Sequence, residues 1–195
     1  MLRMRSLSLV EFLTLDGVMQ SFHAPDPDEP DFPYAGWGQV YQDPTAYQSG
    51  TQGQNSTTAY LFGRKTYQEM VAFWPGQPDE NPMAAHLNHT PKYVATRTLP
   101  TLDWANAHVL EGELVPAVQR LKAEGEGSIV VLGSGALAHQ LLAAGLVDGM
   151  TLFVHPLVLG AGRRLFGEQP SPMPLRLDGV VQTTTGVLIQ TYTAA

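Results

Sequence analysis

The chain has 195 residues, 44% of them hydrophobic and 15% charged, enough apolar matter for one domain-sized core and too little charge for a disordered chain. Lys and Arg number 11 against 18 Asp and Glu, a net charge of −7 with no dense basic run, so nonspecific nucleic-acid binding is not expected. There is no cysteine, which excludes disulfides, thiolate nucleophiles, cysteine zinc sites and iron–sulfur clusters, and fits a cytoplasmic protein.

The first residues resemble a signal n-region, but the chain then alternates and reaches Glu11, so no secretory leader is expected. Residues 5–13 alternate as a strand does, and Thr14-Leu15-Asp16-Gly17 breaks it. Residues 20–58 are rich in Pro, Gly, Gln, Ser and Asp; they read as loops with one helix near 44–58, and so long an irregular stretch is often functional. A short buried strand at 59–62 feeds Gly63-Arg64-Lys65-Thr66 and a helix that runs to about Phe73 and stops at Trp74-Pro75-Gly76. Residues 78–91 read as loop with one helical turn, 92–96 and 107–110 as strands, and 113–124 as a helix with Leu114, Val118 and Leu121 on one face. The apolar run 128–132 suits a strand covered on both faces, and Gly133-Ser134-Gly135 turns it into a helix. The apolar stretch 129–147 is interrupted by glycine and polar residues, so no membrane span is expected. A strand at 150–154 and an antiparallel pair around Gly186, 176–181 with 187–192, close the chain. About eight strands interleaved with four helices imply a mixed, mainly parallel α/β sheet with an antiparallel edge, in a single domain over 1–195.

Three strand ends favour anions. Gly63-Arg64-Lys65-Thr66 opens a helix, whose first amides attract negative charge, though four residues alone suit an ordinary turn as well. Gly133-Ser134-Gly135-Ala136-Leu137-Ala138 fits the relaxed dinucleotide pattern G-x-G-x-x-A. It comes late, and the next strand ends in His155-Pro156 with no acid for a ribose, so a plain glycine turn is the alternative. Thr96-Arg97 ends a third strand, where an arginine could hold a ribose 2′-phosphate or simply lie on the surface. Ligands of open α/β sheets bind at the carboxyl ends of strands, so the three together carry more than each alone. His86 and His89 have i, i+3 spacing but no third partner, and no metal site is expected.

Strand-Thr14-Leu15-Asp16-Gly17, Leu61-Phe62-Gly63-Arg64-Lys65-Thr66-Tyr67, Phe73-Trp74-Pro75, Val131-Leu132-Gly133-Ser134-Gly135, and Pro156-Leu157-Val158-Leu159-Gly160-Ala161-Gly162 with Leu165-Phe166 follow in an order that resembles the dihydrofolate reductase-like superfamily. The nearer resemblance is to its branch with the C-terminal reductase domain of the riboflavin-biosynthesis deaminase–reductase, and it covers nearly the whole chain outside 20–58 and 76–91. It implies that fold, NADPH as cofactor, and a homodimer. It places Gly63, Arg64, Lys65 and Thr66 on the cofactor phosphates, Thr96 and Arg97 at the adenosine ribose and its 2′-phosphate, and Gly133, Ser134, Gly135, Ala136 and Leu137 around the pyrophosphate. Leu15, Asp16 and Gly17 would cover the nicotinamide, with Val154, His155 and Pro156 toward the substrate.

Two departures are plain. Residues 44–60 contain no Asp or Glu where dihydrofolate reductases carry an acid on the first helix, with Asp43 the nearest. The cysteine-dependent zinc site of the deaminase half is missing. The expectation is therefore an NADPH-dependent reductase of a small heterocycle (pterin- or flavin-precursor-like) or a carbonyl or imine compound. Asp16 or water would supply the proton, and Asp16-Gly17 is equally a good turn. Trp37, Tyr41 and Tyr47 could stack on a planar substrate or pack a dimer. A non-catalytic NADPH- or nucleotide-binding regulator is the alternative, and a hydrolase or isomerase on the same scaffold a third reading.

Overall fold

A computed structural model describes residues 4–26, 28–99, 101–167 and 171–195. Eight strands form one sheet: β1 (Ser6–Thr14), β2 (Thr57–Gly63), β3 (Lys92–Ala95), β4 (Ala107–Val109), β5 (Ser128–Leu132), β6 (Gly149–His155), β7 (Leu175–Gln182) and β8 (Leu188–Ala194), in the order β4-β3-β2-β5-β1-β6-β8-β7. Strands from β4 to β6 run parallel; β8 is antiparallel to both its neighbours. The mixed sheet with an antiparallel C-terminal edge is the dihydrofolate reductase-like fold expected from the sequence.

Alternation along the strands sorts the core into two faces. Leu7, Leu9 and Leu13 of β1, Ala59 and Leu61 of β2, Ile129 and Val131 of β5, and Met150 and Leu152 of β6 bury against α4 (Leu114–Ala123) and α5 (Gly135–Ala143). On the other face Tyr60, Phe62 and Val94 pack with Tyr67 of α2 (Arg64–Phe73), Leu87 of α3 (Pro82–His89) and Trp104. Further along that face Val10, Phe12, Phe153 and Ile189 meet Tyr41 and Ala46, the latter on α1 (Pro44–Gln52). Among the described residues no helix is long and apolar enough to cross a membrane.

Two elements differ from the sequence expectation. The helix expected near 44–58 ends at Gln52 and passes through a 3-10 turn, Gly53–Ser56, because Gly53, Asn55 and Ser56 are weak helix formers. Thr57 and Thr58 then extend β2, as β-branched residues favour. Instead of one helical turn, 78–91 holds all of α3. Asn81 caps it, its side-chain oxygen accepting from Met83 N at 3.0 Å and Ala84 N at 3.3 Å, with Pro82 in the first turn.

Candidate active site

The parallel strands place the starts of α2 and α5 side by side at their carboxyl ends, because β2 and β5 are neighbours. Ser134 ties them together. Its hydroxyl accepts from Gly63 N at 2.8 Å and donates to Thr66 Oγ1 at 2.8 Å. Ser134 itself is left-handed (φ 69°, ψ 57°), following Gly133 at φ 58°. Two consecutive left-handed residues aim the chain back toward α2, and a side chain at Gly133 would strain that turn. Neither helix has a side-chain cap, so the amides of two helix N-termini converge on one spot. Of the sequence-expected residues, Gly63, Thr66, Gly133 and Ser134 thus meet in one cradle, with Arg64 and Lys65 in the first turn of α2 and Gly135 and Ala136 in that of α5, while Leu137 is buried and serves the core. Converging amides and a close backbone approach suit the pyrophosphate of a dinucleotide.

Three groups already lie on that cradle. Met19 covers Gly135: a Cβ there would meet the Met19 methyl at 2.0 Å, so the methionine end would have to swing aside. Lys65 Nζ contacts both Asp26 oxygens at 3.0 and 2.8 Å and Asp28 at 2.9 Å. Arg64 reaches Gln68 at 2.9 Å and Asp28 at 3.4 Å. Further out, Thr96 Oγ1 accepts from Thr98 N and Leu99 N, both at 3.2 Å, while Arg97 projects into solvent 89% exposed, 3.7 Å from Glu113.

The Asp16 carboxylate is occupied on several sides. It accepts from Thr14 Oγ1 at 2.6 Å, Leu159 N at 3.2 Å, Gly160 N at 2.9 Å and Arg164 Nη2 at 3.2 Å. The Thr14 hydroxyl and these amides hold it down to about 2, so at neutral pH it carries no proton to give. It clamps the turn after β1, where Gly17 is left-handed, to the loop after β6. The turn leaves Leu15 exposed at the rim, its N–H donating to Leu157 O at 2.8 Å. Asp43 is likewise committed: it accepts from Thr45 N at 2.7 Å and from the Thr184 amide and hydroxyl, and sits at about 2.

The substrate residues are only partly gathered. Trp37 and His155 meet edge to face at 5.1 Å between ring centres, and both are buried. The His155 Nδ1 lies 3.0 Å from Leu13 O and 2.9 Å from Phe153 O, so it is the protonated nitrogen, and burial lowers the ring's affinity for a second proton. Phe22 completes an aromatic cluster: it stacks on Phe12 at 4.4 Å, lies 5.0 Å from Trp37 and 5.2 Å from His155, while Tyr41 stands 5.3 Å from His155. Val154 is separated from His155 by strand alternation and packs on the opposite face. Tyr47 lies apart too, half-exposed on α1 with its hydroxyl on Asn81, the cap of α3. Sequence reasoning missed Phe12, Phe22, Asp26, Arg163 and Arg164. A signal for the charged ones existed: the acids of 26–31 and the pair Arg163-Arg164 stand out in a charge-poor chain.

Solved structures share this fold. A protein named for riboflavin biosynthesis from Shewanella sp. PV-4 superposes with a TM-score of 0.75 at 19% identity, covering 97% of this chain and 99% of that one. A pyrimidine reductase-like protein from Corynebacterium diphtheriae gives 0.64 at 13% identity, with 98% and 92% covered. Dihydrofolate reductase from Enterococcus faecalis, complexed with NADP(H) and RAB-propyl, gives 0.62 at 15% identity, with 97% and 96% covered. In sequence the chain is 27% identical over 141 residues to the uncharacterized protein YyaP of Bacillus subtilis (strain 168), 71% of this chain and 74% of that protein. Residues 5–189 match the family described as RibD C-terminal domain, and the chain belongs to that family.

Proposed function

We propose that this chain is an NADPH-dependent reductase acting on a small heterocycle, pterin- or flavin-precursor-like, or on a carbonyl or imine compound. The observation that carries the reading is the Ser134 bridge, which brings two uncapped helix N-termini onto one cradle. The α5 turn and Thr66 would hold the pyrophosphate, Arg64 and Lys65 the phosphates, and Thr96 and Arg97 the ribose 2′-phosphate. Leu15 and Gly17 would cover the nicotinamide, and the Trp37–His155 side would receive the substrate. When bound, the cofactor supplies hydride from its nicotinamide ring. The residues around it orient the reactants and exclude water.

The proton comes from solvent in this reading. Asp16 and Asp43 are ionised and occupied, α1 carries no acid, and the His155 N–H is held by main-chain carbonyls. The same acid-free α1 favours a second reading, binding of NADPH without turnover. A cytoplasmic homodimer belongs to the proposal too. The edge strand β7 exposes Leu177, Val180 and Val181, a surface a second copy would cover.

Titration with NADPH and NADH, followed by nicotinamide fluorescence, tests the reading. Saturable binding with preference for NADPH is expected, and no binding of either near millimolar concentration overturns it. Consumption of NADPH across pterin, flavin-precursor and carbonyl panels then separates reductase from regulator.

A further inference from the structure

The segment that leaves β1 crosses the cradle from one wall to the other. Sheet order puts the end of β2 on one side of β5 and β1, and the end of β6 on the other. Lys65 stands beyond β2 in the first turn of α2, and Arg163 lies in the loop after β6. Asp26 joins them: its two oxygens meet Lys65 Nζ at 3.0 and 2.8 Å, and one also meets Arg163 Nη2 at 3.1 Å. The Asp26 side chain is only 9% exposed. It therefore links the α2 side to the loop after β6, while Met19 of the same segment lies on Gly135.

Neighbouring residues seat the same segment. Glu29 pairs with Arg163, and Gln20 takes the Arg163 N–H at 2.9 Å. Met19 lies on Gly135, while Asp28 contacts Lys65 and Arg64. Phe22 fills the space beside Phe12, Trp37 and His155, and a Cβ on Gly38 would meet its ring at 2.0 Å. Carboxylates thus sit on the cations assigned to phosphates, and a phenyl ring sits in the aromatic cluster on the substrate side.

We propose that Asp26 latches this segment across the cradle, occupying Lys65 in place of a cofactor phosphate, so that release of the latch governs cofactor entry. The inference rests on the cradle being a dinucleotide site. A carboxylate and a phosphate compete for the same ammonium, and the phosphate brings more charge and more acceptor oxygens. The partly exposed pairs of the latch are individually weak, so an incoming dinucleotide can displace them. Once the segment lifts, Met19 leaves Gly135 and the α5 amides are uncovered.

NADPH titration of the wild-type protein and D26N is the test, with chymotrypsin as a probe of the segment, which carries Phe22, Phe32 and Tyr34. D26N is expected to bind NADPH roughly three- to tenfold more tightly, as loss of a competing ion-pair network allows. It is also expected to be cut in this segment without ligand, where the wild type is cut only when NADPH is added. R163Q, which loosens the other anchor, is expected to shift both readouts the same way by less, and it decides the matter if D26N does not fold. If the wild type binds NADPH while the variants bind it equally or more weakly, the latch is overturned and the cradle stands. If neither wild type nor variants bind NADPH, latch and cradle reading fall together.

Discussion

The two halves of the cleft are built from different parts of the chain. The half proposed for the cofactor phosphates is made mostly of backbone: glycine turns, helix starts and one serine hydroxyl, all within a few residues of two strand ends. The half proposed for the substrate is an aromatic cluster of side chains from β1, β6 and the long segment between β1 and β2: Phe12, Phe22, Trp37, Tyr41 and His155. Backbone sites constrain the local sequence, because left-handed turns and uncapped helix starts admit few residues. Side-chain sites constrain only the far-off partners that fill them, so no local pattern marks them.

Substitutions can break this contrast from either side. The largest effect is expected at Trp37, which is buried and donates its indole N–H to Gln20 O at 2.8 Å. Trp37→Ala leaves a cavity and an unpaired carbonyl, and urea unfolding is expected to show a loss of about 3–5 kcal/mol. A smaller loss would mean that the aromatic half is less tightly packed than the sheet beneath it.

Glu11 gives the next effect. It lies among Leu9, Leu13 and Leu152 with Oε1 unpartnered, and burial pushes its carboxyl up to about 8. Its folded value exceeds the ordinary carboxyl value of 4.5, so the wild type loses stability as pH rises from about 4.5 to 8. Glu11→Gln removes that slope. The variant's stability relative to wild type should improve by on the order of 3 kcal/mol between pH 5 and pH 8. Equal slopes in paired thermal melts would show that the carboxyl already reaches water.

Asp16 behaves in the opposite sense. Its value is depressed to about 2, so its contribution is present above pH 4 and fades as pH falls toward 2. Asp16→Asn should flatten that acid limb, and any NADPH oxidation it supports should keep the wild-type pH profile from 5 to 8. A profile that loses a limb would return the proton-donor role to Asp16. The smallest effect is expected at Ser134→Ala, which leaves the turn but removes the bridge between Gly63 and Thr66. A loss of about 1 kcal/mol and a few-fold weaker NADPH binding are expected, and unchanged binding would show that the two helix starts hold their places without it.

Much of the fold was legible because each long element carries a clear period or a clear stop. The alternation of β1, the apolar run of β5 and the glycine turn at 186 each mark their own element. Helix α3 was not, since its eight residues include two histidines and no apolar stripe, and its one strong cue, Asn81-Pro82, looks the same in a turn. The turn glycines and Thr66 were legible as positions at strand ends, whereas the contact of Trp37 with His155 was not. The displacement of Tyr47 was not, because whether α1 faces the cleft or α3 depends on packing that no local pattern encodes. Asp16 was ambiguous for another reason: an Asp-Gly pair reads alike as acid and as turn, and only the Leu159 and Gly160 amides decide.

The position of β1 has a consequence for how the chain comes together. Strand β1 is made before the other seven strands of the sheet yet lies between β5 and β6, so Ser6 must wait for Ser128 and Ser8 for Gly149. Until β5 has been synthesised, Leu7, Leu9 and Leu13 have no sheet neighbour on either side, and the second side waits for β6. Such long-range pairing makes folding slow, and it leaves an unpaired apolar strand far from the growing end of a nascent chain. The tolerance of this protein to crowding and heat during synthesis is therefore set by how long that strand stays alone.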